Sequence, residues 1–138
     1  MYATEQELNT HIGEDAVLLL ADRDGDMLTD AEVVESALIA ASGEIDGYIR
    51  AQYELPLSAP NPLLKHLCID IAIYHLSDET TITDHRIMRY RDATKTLTSI
   101  SNGLISLGVS VDGADSDSGG KATIVSPGGR VFGRDNLL

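Results

Sequence analysis

The sequence predicts an all-α fold: a small helical bundle that carries an extended, β-prone C-terminal arm. Three observations predict it. Apolar residues recur at spacings of three and four over most of the first hundred positions, which gathers them on single helix faces. Helix-start signals precede most of these stretches. After Gly103 the periodicity stops, and Gly, Asp and Ser take over.

The elements follow in order. Thr4 and Glu7 form a capping box, so a short helix starts there and ends near Gly13. A second short helix spans Glu14 to Leu20 and runs into the loop Asp22-Arg23-Asp24-Gly25-Asp26. Thr29 and Glu32 read as another capping box, opening a long helix from about Asp30 to Tyr53. Its apolar face is Val34, Leu38, Ala41, Ile45, Tyr48 and Ile49. Gly43 and Gly47 sit inside it at about 1 kcal/mol each relative to Ala, which suggests close approach by another backbone. Leu55 to Pro62 holds three prolines and breaks the helix. Asn61 is then an N-cap and Pro62 the first helical residue of a third main helix, reaching Leu76. That helix is apolar around much of its circumference, so it is expected to be the central one. The region Thr81 to Asp84 caps the last helix, about His85 to Asn102, with Ile87, Tyr90, Ala93, Leu97 and Ile100 as its stripe and Gly103 as its C-terminal stop.

The expected organisation is therefore a helical domain over 1–103, a short strand (Leu104 to Val109) and flexible linker over 104–121, and an arm over 122–138. The linker from Val111 to Lys121 has almost nothing to bury.

Composition limits the function. The chain has 138 residues and a formal net charge of −12. A length of this order buries roughly two-thirds of the unfolded surface, and the scarcity of aromatics leaves the core to Leu, Ile, Val and Ala. The acidic balance argues against groove-type DNA binding, which needs cations to displace counterions from phosphate, and against anionic membranes. No apolar run approaches the roughly 20 residues that span a bilayer, and the first residues do not read as a signal peptide. The single Cys68 lies in an apolar run and reads as a small buried hydrophobe.

Catalytic and metal patterns are weak, and no cofactor is expected. Asp22, Asp24, Asp26 and Asp30 match positions 1, 3, 5 and 9 of an EF-hand loop, but Met27 stands where Gly is needed and Val33 where a bidentate Glu is required. His11, His66, His75 and His85 show no zinc spacing, and His66 reads as a hydrogen-bonded partner of Asp70 one turn on. No nucleophile elbow or phosphate loop is present. The chain is expected not to be an enzyme.

The arm is the candidate site. Up to Asp46 the only Lys or Arg is Arg23, whereas the last 18 residues hold Lys121, Arg130 and Arg134 against Asp135 alone. The only Phe, Phe132, lies between the two arginines. A β-prone, aromatic, basic segment behind a linker is the pattern of an arm that folds onto a partner. Its expected contact residues are Ile124, Val125, Arg130, Val131, Phe132, Arg134 and Leu137.

Several stretches together resemble a known family: Met1-Tyr2-Ala3-Thr4, Leu20 to Asp26, Ala41 to Tyr48, Tyr53 to Leu57, Leu63 to Ala72, Arg89 to Ala93, and Pro127-Gly128-Gly129-Arg130-Val131-Phe132. They resemble small proteins of the head-gene region of Mu-like phages, which in turn resemble the head–tail adaptor (connector) proteins of long-tailed phages. The resemblance implies a helical structural subunit in the virion neck, made in the host cytoplasm. It implies a homo-oligomeric, twelve-fold ring beneath the portal protein, facing a tail-terminator or tail-completion protein, with DNA passing through unread. The alternatives are a calcium-binding regulatory module using the Asp22–Asp26 loop, and a tail-completion or terminator protein of the same particle.

Overall fold

The computed structural model describes residues 1–109. Five α-helices account for its regular structure: α1 (Glu5–Ile12), α2 (Glu14–Ala21), α3 (Ala31–Ile49), α4 (Pro62–Leu76) and α5 (Asp84–Ser101). The all-α expectation holds, and no strand occurs among the described residues.

Helix α4 is the axis of the bundle. It packs against α1, α2, α3 and α5, most extensively against α3. Leu64, Cys68, Ile71 and Ala72 are fully excluded from solvent, and Leu67, Ile69, Ile73 and Leu76 are nearly so. A helix touched from several sides needs apolar residues on more than one face, which is why its pattern lacks a clean polar stripe. The stripes of α3 (Val34, Leu38, Ala41, Ile45, Ile49) and α5 (Ala93, Leu97, Ile100) close on it. Cys68 is a buried free thiol whose pKa is pushed up by loss of hydration. Its sulfur lies 3.5 Å from the Ser42 hydroxyl, itself bonded to the Leu38 carbonyl.

Local signals set most boundaries. Thr4 and Glu7 make the reciprocal capping box at α1. The Asn61 carboxamide oxygen accepts from the amides of Leu63 and Leu64, and Pro62 begins α4. Thr83 caps α5, and Gly103 takes a positive φ of 73° just past its end.

Four expectations are corrected. The Thr29–Glu32 box does not form: Asp30 is the N-cap of α3 and makes no side-chain cap bond, because its carboxylate accepts from the Arg23 amide across the preceding loop. Helix α3 stops at Ile49, and residues 50–53 turn so that Tyr53 enters the core. Gly43 and Gly47 are exposed, and a Cβ built at either would meet nothing within 4 Å; nothing in the structure explains their cost. Leu104 to Val109 is a bent segment rather than a strand. Among the described residues it pairs with no strand; the Ser99 carbonyl accepts from the Leu104 and Ile105 amides, and side chains hold Leu107. The Leu107 amide donates to the Tyr53 hydroxyl at 2.9 Å, the Asn61 side-chain amide donates to the Leu107 carbonyl at 2.9 Å, and the Leu107 side chain is buried.

Asn61 thus does two jobs, which substitutions can separate. Asn61→Ala loses both, at about 1–2 kcal/mol for the cap plus about 1 kcal/mol for the second bond. Asn61→Asp keeps the acceptor and loses only the donor. Thermal melts should rank wild type above Asn61→Asp and Asn61→Asp above Asn61→Ala; equal melting temperatures for all three would refute the double role.

Candidate interaction surface

All seven expected contact residues, Ile124, Val125, Arg130, Val131, Phe132, Arg134 and Leu137, lie outside the described residues. The last described residues are held against the body. Leu107 is fixed to Tyr53 and Asn61, so Val109 starts from a set point beside the α3–α4 connection.

A groove of about 430 Å³ opens next to that point, with Asn61 in its wall. One side is the N-terminal segment, Met1 and Tyr2; the other is the proline-rich loop with Pro56, Leu57 and Pro60. Its rim is mixed in charge. Glu7 pairs with Lys65 at 3.1 Å; the Lys65 bond, followed by the Thr4 amide bond, holds the Glu7 carboxyl below its ordinary value. Asp46 accepts a hydrogen bond from the Tyr2 phenol. Burial first, and then that bond, raises the Tyr2 pKa well above its usual value, since a phenol donating to a carboxylate resists ionisation. No ion pair among the described residues involves Asp46. Composition alone gave no sign of this groove: it depends on a long-range bond between Tyr2 and Asp46 and on the path of the loop.

A second cluster ties α3, α4 and α5 together. Glu44 accepts from the Tyr90 hydroxyl at 2.8 Å and lies 3.1 Å from the His75 ring nitrogen. Tyr74 stacks on Tyr90 at 4.0 Å between ring centres. Burial, and then the Glu44 bond, pushes the Tyr90 pKa up to about 12. Asp70 pairs with Arg89 of α5 at 2.9 Å, not with His66 as its spacing suggested; His66 meets the edge of His11 instead. These groups clamp helices together.

The Asp-rich loop is built mainly by its own side chains. Asp22 accepts from the amides of Gly25 and Met27, Asp24 from Asp26, and Asp26 from Leu28. Met27 adopts φ 65°, so it takes up the left-handed turn that the EF-hand pattern assigns to Gly, at roughly 1–2 kcal/mol. Carboxylate oxygens of Asp22, Asp24 and Asp30 come within 4.8 Å of one another. The twelfth position remains unsuitable, because Val33 is packed against the core and carries no oxygen ligand. We expect melting temperatures in excess calcium and in chelator to agree closely. A rise of several degrees with calcium would show a bound ion, since a ligand of the native state stabilises by mass action.

The clusters among the described residues are ion pairs, caps and aromatic ties of the kind that hold a small helical structural subunit together. Comparison with known proteins makes the class specific. The model of the family "Bacteriophage Mu, Gp36" matches residues 2–126. The chain is 33% identical over 117 residues to gene product J of Escherichia phage Mu, covering 85% of this chain and 82% of that protein. It is 36% identical over 106 residues to the Mu-like prophage FluMu protein gp36 of Haemophilus influenzae, covering 77% and 74%. The chain belongs to the Bacteriophage Mu Gp36 family, as the resemblance over its head-gene-region motifs implied. It is a phage protein of the structural and morphogenetic kind. No described helix is long and apolar enough to cross a membrane.

Proposed function

We propose that the chain is a head–tail adaptor, a non-catalytic subunit of a ring in the virion neck that joins the portal to the tail and leaves a bore for DNA. One observation supports this most: within a Mu-phage family, the chain pairs a strongly acidic helical body with a basic, aromatic C-terminal sequence, and the last described residues are tied to that body at Leu107. A ring subunit needs both a body that forms the wall and a segment that engages a neighbour. The charge suits the wall. Twelve copies would carry roughly 144 negative charges, and DNA, a polyanion, is repelled from such a surface rather than retained by it. The attachment residues in this reading are those of the arm, Ile124, Val125, Arg130, Val131, Phe132, Arg134 and Leu137, with the portal, adjacent copies and the tail-terminator or tail-completion protein as partners.

The test is direct. Purified protein mixed with purified portal should co-sediment as a defined complex, and cryo-electron microscopy of the neck should show this chain directly beneath the portal. Density for it at the tail end of the neck, without portal contact, would favour a terminator or completion protein instead.

A further inference from the structure

We propose that, in the unassembled subunit, the groove between the N-terminal segment and the proline-rich loop is covered by the chain's own C-terminal segment, with Val131 and Phe132 against the apolar wall and a flanking arginine at Asp46. The inference rests on the reading of that segment as a docking arm, and it names where the arm sits before it docks.

Three observations support it. The first is position. The chain leaves the described body at Val109, two residues after Leu107, and the Leu107 carbonyl is bonded to Asn61, a wall residue of the groove. Residues 110–138 follow Val109 in the sequence, so the segment is tethered close to the opening. A tethered segment meets such a site at an effective concentration on the order of millimolar, far above that of a second copy in dilute solution. The second is charge. Asp46 has only a neutral phenol as partner among the described contacts, and it stands on the groove wall. The last 18 residues bring Lys121, Arg130 and Arg134, three of the ten cations of the whole chain, against Asp135 alone. The third is shape and polarity. About 430 Å³ is within the range that takes a compact apolar group with a few polar contacts. The wall offers Met1, 66% exposed, and the half-buried Leu57 together with prolines. The C-terminal segment holds the only Phe in the sequence, flanked by Val131 and two arginines.

Occupation in this manner hides apolar surface in the free subunit and releases it when a partner competes for the same residues.

Cysteine trapping in the full-length chain tests the proposal. Ser58→Cys places a thiol at the exposed groove wall, and Gly133→Cys places one beside Phe132; Cys68 is buried and stays silent. Under mild oxidation at micromolar protein, the pair should close into an intramolecular disulfide at a rate independent of protein concentration. Adding Phe132→Ala or Asp46→Asn should slow closure about tenfold or more. A control pair, Ser36→Cys with Gly133→Cys, should close as slowly as those variants. Equal rates for the groove pair and the control pair overturn the proposal. So does a product that is mainly disulfide-linked dimer, which would assign the groove to the segment of another copy. Portal binding by the unoxidised wild type is scored separately, so failure of the trap leaves the adaptor reading standing, and failure to bind portal leaves the trap result standing.

Discussion

A chain ending at Gly120 is expected to keep its helical content and melting cooperativity and to lose the ability to join heads to tails. The described core is complete without the removed residues. Leu8, Leu38, Ile45, Ile71, Leu97 and Ile100 are fully buried, the described core is drawn from residues between Ala3 and Leu107, and no buried side-chain nitrogen or oxygen among the described residues lacks a partner. Assembly is a different matter. The removed segment holds every residue of the expected anchor, from Ile124 to Leu137. The eleven residues Val111 to Lys121 can span up to about 36 Å when extended, which is sufficient to reach a neighbouring subunit or the portal. Aromatic and Arg side chains most often dominate an interface, so Phe132→Ala should reproduce much of the defect with folding intact. Complementation of a phage lacking the wild-type gene reads this out as infectious titre, expected to fall by orders of magnitude for the truncation. Normal titre would move the interface onto the helical body.

The second large effect is on folding. Ile71→Asp should abolish the cooperative thermal transition, while Glu35→Ala should leave it within about one or two degrees. Ile71 is fully buried at the middle of α4, the helix that every other helix touches. A carboxylate there has no cation to pair with, and burying it unpaired costs several kcal/mol, a large part of the typical 5–15 kcal/mol that holds a domain folded. Glu35 points to solvent on α3, where a truncation to Ala removes little and improves helix propensity. A native-like circular dichroism melt for Ile71→Asp would refute the core assignment.

The sequence was readable wherever the signal is local. Asn61-Pro62 and Thr4…Glu7 act within one helical turn, and so their caps appear where the pattern puts them. The α4 core is legible for the same reason: a run with few polar positions has few faces to expose. What was not legible depends on partners far along the chain. Asp30 is diverted from capping by the Arg23 amide. Asp70, with His66 one turn away, pairs instead with Arg89 on another helix. Leu104 to Val109 looked strand-like because it alternates, yet the Leu104 and Ile105 amides turn back to the Ser99 carbonyl and the Leu107 backbone is bonded by Tyr53 and Asn61, 54 and 46 residues away. The groove wall joins Tyr2 to Asp46 over 44 positions, and no periodicity encodes such a meeting. The expected contact residues of the arm lie beyond the described residues, so their placement rests on composition and charge.

The fixing of Leu107 also decides how the subunit would bear tension. A pull applied beyond Val109 does not first reach the end of α5, where it could peel that helix open turn by turn from Ser101. It meets the buried Leu107 side chain and the bonds to Tyr53 and Asn61, which face residues just after α3 and just before α4. The strain therefore enters the two most extensively paired helices at the loop that joins them, and it is shared across several contacts at once instead of being met by one hydrogen bond after another. In an adaptor ring of the kind proposed, this arrangement would resist strain: the attachment at Leu107 yields only when the middle of the bundle does.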